Sequence, residues 1–203
     1  MIKNTPIAKS FSESIGKFFG WVPLHPNTIT LLAVLFSIAG FILFLYSLVS
    51  IGFIFFLLAF FLDAVDGAVA RAKNLSSKKG AFLDGISDRL VEFLLVLALF
   101  VSTTDNTSQL LLIAILFFGT CMTSFVKAYA EHSGLLDNET AKKMPGLLER
   151  AERSVLLLLT LILIVLSLES WVLYLLALIA LLSFLTFMQR VVLTSSQVPQ
   201  EPQ

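Results

Sequence analysis

One cysteine, two histidines and a long stretch without any charge set the first limits on this chain. Cys121 stands alone, so no intramolecular disulfide can form, and its place in an apolar run marks it as a small packing residue. His25 and His132 have no second His or Cys at ligand spacing, which favours helix capping or an interface contact over metal binding or catalysis. Net charge is zero, with 14 basic residues against 14 acidic ones, and no basic tract exists for nucleic acid to neutralise. Nucleic acid is therefore not an expected partner. The segment Met1 to Phe19 has neither an apolar core nor a small-residue cleavage site, so no cleaved signal peptide is expected. The sequence has no detectable repeat and no sign of a second domain.

Apolar residues dominate instead: they make up 57% of the chain, and the mean hydropathy is +0.91. These values fit an all-α integral membrane protein. Between Lys17 and Asp63 lie 45 residues with no Lys, Arg, Asp or Glu. As one helix they would span about 68 Å, against a hydrocarbon core of about 30 Å, so the chain must fold back, near Ser47 to Gly52. Later apolar runs extend from Gly80 to Val101, Gln109 to Ala130, Ser154 to Leu168 and Ser170 to Val192, the last two split by Glu169. Six transmembrane helices are expected. Before them, Phe11, Ile15, Phe18 and Phe19 recur at helical spacing against Ser12, Glu13, Ser14 and Lys17, which predicts a short amphipathic helix lying in the interface up to Trp21. Pro23 and Pro26 break the chain, and Asn27 and Thr28 are placed to cap the first span. The predicted organisation is a cytoplasmic N-terminus over 1–25, a membrane domain over 26–193 and a disordered Pro/Gln-rich tail over 194–203.

Charge placement sets the orientation. All 14 Lys and Arg residues fall on one side of the predicted spans, while the opposite connections carry only Asp105 and Glu169. The positive-inside rule places both termini, and the chemistry described next, at the cytoplasmic face of the cell membrane.

That chemistry centres on residues 63–88, which read D-x-x-D-G-x-x-A-R-x8-G-x3-D-x3-D. Each ionisable group in a spanning helix costs about 2.5–3.5 kcal/mol, so Asp63, Asp66, Asp84 and Asp88 together cost roughly 10–14 kcal/mol unless something neutralises them. On a helix Asp63, Asp66, Gly67 and Ala70 share one face, and so do Gly80, Asp84 and Asp88. Brought together, the two faces would form an acidic cage for hard divalent cations, which prefer carboxylate oxygens and are commonly bound with substrate phosphates. Gly67, Ala70 and Gly80 would let a bulky ligand approach the backbone. Glu92, four residues beyond Asp88, continues the polar face or pairs with Arg89.

The pattern resembles the signature of the CDP-alcohol phosphatidyltransferases at every fixed position. The six-run layout, the amphipathic start and Pro26-Asn27-x-x-Thr30 are also similar to that family. The resemblance implies a six-helix membrane enzyme, often a homodimer, in which an alcohol displaces CMP from a CDP-linked lipid. It implies that Asp63, Asp66 and Asp84 hold a pair of Mg²⁺ ions, with Mn²⁺ as an alternative, over the CDP diphosphate. Asp88 would be the base that deprotonates the acceptor and would also lie near the second metal. Asp66, Gly67, Ala70, Arg71 and Gly80 would form the nucleotide site. Arg71 fits such a role because its forked guanidinium matches phosphate oxygens.

The acceptor must be read from the remaining basic residues. Ser124 and Lys127 lie one turn apart, as do Arg150 and Arg153, and Arg190 lies near the end of the last run. Facing one cavity they would bind a phosphate, although basic residues also belong at cytoplasmic helix ends. The segments around Ser124–Glu131, Glu149–Arg153 and Gln189–Arg190 resemble the subfamily that makes phosphatidylinositol phosphate in actinobacteria and archaetidylinositol phosphate in archaea. That resemblance implies inositol 1-phosphate as acceptor, CDP-diacylglycerol or CDP-archaeol as donor, and Ser124, Lys127, Arg150, Arg153 and Arg190 as phosphate-binding residues. Tyr129 departs from it, standing where the actinobacterial pattern usually has a second basic residue. The alternative is a phosphatidylglycerophosphate or archaetidylglycerophosphate synthase using glycerol 3-phosphate, but Leu31, Leu32 and Ala33 occupy the region where that branch commonly carries an arginine. A cation transporter is the reading from another class. It would continue polar groups toward the other face, where the spans carry mainly scattered Ser and Thr.

Overall fold

The computed structural model describes residues 18, 19, 25–75 and 77–196, and every element among them is helical. The helices are α1 (Pro26–Leu45), α2 (Val49–Ala72), α3 (Lys78–Ser102), α4 (Asn106–Ala114), a π-helical segment (Ile115–Met122), α5 (Thr123–His132), α6 (Asn138–Lys143), α7 (Arg150–Val165) and α8 (Glu169–Ser196). The chain divides into two compact units. One comprises Met1–Thr103 with Leu161–Leu168, and the other comprises Thr104–Thr160 with Glu169–Gln203.

In the first unit α1 packs against α2 and α3. The chain folds back where the uncharged stretch predicts. At the end of α1, Tyr46 N–H donates to Ile42 O, and Leu48 N–H reaches back to Leu43 O at 2.9 Å, with Ser47 left-handed at φ 60°. The same closure recurs after α2, with Asn74 at φ 54° and Leu75 N–H on Ala70 O, and after α7, with Ser167 at φ 57° and Leu168 N–H on Leu163 O. These six-to-one bonds satisfy carbonyls that a helix end leaves orphaned, the arrangement usually built on glycine. α1 and α2 approach closely at Gly40 and Gly52: a Cβ on Gly52 would lie 2.6 Å from the Phe44 ring and 2.9 Å from Gly40 O. Nearer the aspartates, buried Ile29 of α1 packs with Val65, Ala68 and Val69 of α2. That apolar face fixes the rotation of α2.

In the second unit α4, the π-helical segment and α5 run on from one another and pack against α8, with α6 against α5. Asp105 caps α4 by accepting from Ser108 N–H at 2.8 Å, a bond that holds its carboxyl below the usual carboxylate range.

Several sequence expectations shift. Among the described residues, four helices are long and apolar enough to cross a membrane: Pro26–Leu45, Val49–Ala72, Asn106–His132 and Glu169–Ser196. The other two expected runs are helical but differ in kind. α3 carries Lys78, Lys79, Asp84, Asp88, Arg89 and Glu92, and α7 has 16 residues, or about 24 Å of rise. The first span starts at Pro26, with His25 rather than Asn27 or Thr28 as its cap: His25 Nδ1 accepts from Asn27 N–H at 3.2 Å. Proline suits the first helical position because its missing N–H would be unpaired there anyway. α8 runs to Ser196, three residues into the expected tail. Cys121, expected to pack, is exposed, because the π-helical segment turns Ile115, Gly119 and Thr120 inward. The amphipathic helix from Phe11 to Trp21 lies outside the described residues except for Phe18 and Phe19, which are helical, and the tail beyond Ser196 also lies outside them.

Candidate active site

Two helices of the first unit build the acidic site. Asp63 comes from α2, and Asp84 and Asp88 come from successive turns of α3. Each offers a carboxylate oxygen within 4.8 Å of the others. Asp84 is exposed, Asp63 half-buried and Asp88 buried, so the group grades from solvent into the protein. Three carboxylates without nitrogen or sulfur donors suit a hard divalent cation, and like charges at this spacing repel strongly without one. Asp63, Asp84 and Asp88 are thus the residues that would hold a metal.

Asp66 is buried and engaged differently: its Oδ2 lies 2.5 Å from Thr30 Oγ1 of α1, which also lies 3.1 Å from Pro26 O. In the sequence Thr30 stands out only as part of Pro26-Asn27-x-x-Thr30, a pattern that assigns it no role. The contact spans 36 residues, and its only trace in the sequence was that short pattern. Asn27 of the same pattern places Oδ1 3.4 Å from where a Cβ on Gly80 would sit, with Ser77 Oγ at 3.1 Å. Ser77 Oγ also accepts from Gly80 N–H at 3.0 Å, capping α3. At Gly67 a Cβ would lie 3.4 Å from Arg71 Nη1, so the guanidinium folds back over the glycine one turn earlier. Gly67, Arg71 and Gly80 therefore keep bare backbone and a forked donor beside the aspartates. Ala70 lies between Val69 and Arg71 on α2 and is half-buried.

Arg89 Nη1 stands 3.5 Å from Asp88 Oδ2 and donates to Gly85 O at 3.1 Å. Glu92 is only 1% exposed, one turn beyond Asp88. Its burial beside the aspartate fits the extended polar face.

The basic residues lie in the second unit. Ser124 and Lys127 of α5 are half-buried, Arg150 of α7 likewise, and Arg153 and Arg190 are buried. Arg190 donates through Nη1 to Thr123 O at 2.8 Å and through Nε to Pro145 O at 3.3 Å. Arg153 runs past Gly119 of the π-helical segment, its Cδ 3.0 Å from where a Cβ there would lie. Arg153 and Arg190 thus meet one continuous helical run at positions four residues apart.

A family model for CDP-alcohol phosphatidyltransferases matches residues 23–198. An archaetidylinositol phosphate synthase of Pyrococcus horikoshii is 32% identical, over 76% of this chain and 78% of its own. One from Aeropyrum pernix is 31% identical, over 72% and 71%. Among solved structures, the phosphatidylinositol phosphate synthase of Mycobacterium tuberculosis with CDP-DAG bound covers 96% of this chain and all of its own, with a TM-score of 0.76 at 23% identity. The same protein with manganese and citrate aligns with a TM-score of 0.74 at 22% identity, over 94% and 93% of the two chains. Those structures share the fold; the family rests on the model match and the curated relatives, and on both counts this chain belongs to the CDP-alcohol phosphatidyltransferases, a family of transferase enzymes.

Proposed function

We propose that the protein transfers a phosphatidyl-type group, on diacylglycerol or archaeol, from a CDP-lipid to a hydroxyl of inositol 1-phosphate and releases CMP. The observation that carries the donor half is the Asp63, Asp84 and Asp88 trio, assembled from two helices in a member of this family. The acceptor half is supported by the two archaetidylinositol phosphate synthases at 31–32% identity and by the buried arginines of the second unit.

Asp88 takes the proton of the acceptor hydroxyl as its oxygen bonds to the lipid-linked phosphorus, and the bond from that phosphorus to the CMP oxygen breaks. Asp63, Asp84 and Asp88, whose oxygens cluster, would together with Asp66 hold two divalent cations, Mg²⁺ or Mn²⁺. Such cations would supply the positive charge that offsets the diphosphate and the departing CMP. Thr30 fixes one oxygen of Asp66. Asp66, Gly67, Ala70, Arg71 and Gly80 seat the nucleotide diphosphate, with Arg71 donating to its oxygens. Ser124, Lys127, Arg150, Arg153 and Arg190 bind the acceptor phosphate. The protein acts as a homodimer in the cytoplasmic membrane, crossing it six times with both termini and the aspartates on the cytoplasmic side, where its basic residues lie.

The test supplies purified protein and Mg²⁺ with CDP-diacylglycerol or CDP-archaeol and, separately, inositol 1-phosphate, glycerol 3-phosphate, serine and free inositol. The lipid product is identified by mass. A phosphoinositol lipid is expected from inositol 1-phosphate, and a preference for glycerol 3-phosphate would move the acceptor assignment to the glycerophosphate branch. Family membership leaves no need for the transporter reading.

A further inference from the structure

We infer that two glycines, Gly119 and Gly146, are positioning residues that set the aim of Arg153 and Arg190 and thereby the protein's affinity for a phosphorylated acceptor. The inference rests on the proposed role of these arginines in binding the acceptor phosphate.

Each glycine abuts one arginine. A Cβ on Gly119 would fall 2.9 Å from Ser183 Oγ, 3.0 Å from Arg153 Cδ and 3.2 Å from Arg153 Nε. A Cβ on Gly146 would fall 2.7 Å from Thr186 Cγ2, 3.0 Å from Arg190 Nη2 and 3.6 Å from its Cζ. All of these residues belong to the second unit. Ser183 could turn its hydroxyl aside about one bond. Arg153 is pressed at the last carbon of its stem and at Nε, so yielding there carries the guanidinium with it. Both arginines are buried, at 3% and 7% exposure, and have little room in which to re-aim.

The surrounding backbone serves the same placement. Gly119 lies in the π-helical segment, whose wider turns change which residues face inward, a feature found mostly as local bulges and often at functional sites. Thr123 follows directly: its hydroxyl donates to Gly119 O, and its carbonyl accepts from Arg190 Nη1. One helical stretch therefore touches both arginines, one through a missing side chain and the other through a carbonyl. The Pro145-Gly146 segment closes over Arg190 from the other side, since Pro145 O accepts from Arg190 Nε and Leu148 N–H donates to Thr186 Oγ1 at 2.9 Å. Bonds to backbone carbonyls fix a guanidinium more tightly than flexible side chains would, and its planar fork makes aim decisive for phosphate.

The experiment measures CMP release by the full chain in detergent, varying inositol 1-phosphate and CDP-lipid in turn, for Gly119→Ala, Gly146→Ala and Gly119→Ala/Ser183→Ala. Gly40→Ala serves as the control, because it crowds α1 against α2 in the first unit, with Gly52 O 3.2 Å away. Misplacement by about 1 Å can cost about a hundredfold, so the acceptor KM should rise about tenfold or more in all three test variants while the CDP-lipid KM stays within about twofold. Gly40→Ala should lower thermal stability and change neither KM. Should Gly119→Ala fail to fold, Gly146→Ala, which lies in a connection rather than a helix, carries the test alone. Unchanged acceptor KM in variants of a wild type that requires inositol 1-phosphate would overturn the inference, as would equal rises in both KM values. Full recovery in the double variant would show that Ser183, not Arg153, was the partner that mattered, and would also overturn it. A wild type that uses free inositol as readily as inositol 1-phosphate would remove the acceptor reading itself, and the inference with it.

Discussion

The two units solve opposite electrostatic problems. The first gathers like charges from neighbouring sequence: Asp63, Asp84 and Asp88 come from adjacent helices and place their oxygens within 4.8 Å of one another. The second gathers cations from distant sequence, with Arg153 on α7 and Arg190 on α8 brought to one helical run near Gly119 and Thr123. The aspartates are spread from exposed to buried, so solvent reaches one edge of the group. The arginines are buried, and Arg190 is steered by main-chain carbonyls at 2.8 and 3.3 Å. A carboxylate cluster is completed by the cations it binds, whereas a buried guanidinium must be oriented before its anion arrives.

The comparison breaks most sharply at the aspartates. Asp84→Asn should reduce CMP release by about 10²–10³-fold with every acceptor, the scale of losing one electrostatic contact in a transition state. Asp88→Asn should abolish transfer while CDP-lipid binding, followed by equilibrium dialysis, is largely kept; retained turnover would remove Asp88 as the base. Arg153→Ala should act on one substrate only. Losing a hydrogen bond to a charged group costs about 1.5–3 kcal/mol, or roughly 10- to 100-fold in acceptor KM, with the CDP-lipid KM little changed. Arg190→Ala should show the same split and also lower the melting temperature, because Thr123 O and Pro145 O lose their donor. Equal effects on both substrates would dissolve the division of labour between the units. Thr30→Val frees Asp66 Oδ2, and by analogy with groups that orient metal ligands it should weaken Mn²⁺ binding about tenfold, as read by electron spin resonance. The smallest effect belongs to the turn between α1 and α2. Ser47→Gly relieves a left-handed serine and should stabilise by about 1 kcal/mol with neither KM changed.

Legibility in the sequence follows the same division. The aspartate faces could be read because helix periodicity places i, i+3, i+4 and i+7 together whatever the rest of the chain does. The fold-back between the first two spans was legible from length alone, and the turn falls at Ser47, inside the interval expected. What resisted reading depended on contacts remote in sequence or on a local change of helical period. Nothing in Ile115–Met122 announces π-helical turns, so the inward placement of Gly119 and the exposure of Cys121 could not be foreseen. The pairing of Thr30 with Asp66 needs α1 packed against α2 in one rotation, which the apolar contact of Ile29 with Val65 and Val69 supplies. Length and hydropathy single out only four of the six expected spans among the described residues. α3 is long but loaded with the charges of the site, so hydropathy weakens where function is densest.

CMP release with inositol 1-phosphate as the sole acceptor, measured with Mg²⁺ and again after chelation by EDTA, decides between metal-dependent transfer to a phosphorylated acceptor and any other reaction. Release should need both the phosphorylated acceptor and the metal, and should return when Mg²⁺ is restored. Release that persists in EDTA, or that proceeds equally with free inositol, would contradict metal-dependent transfer to a phosphorylated acceptor.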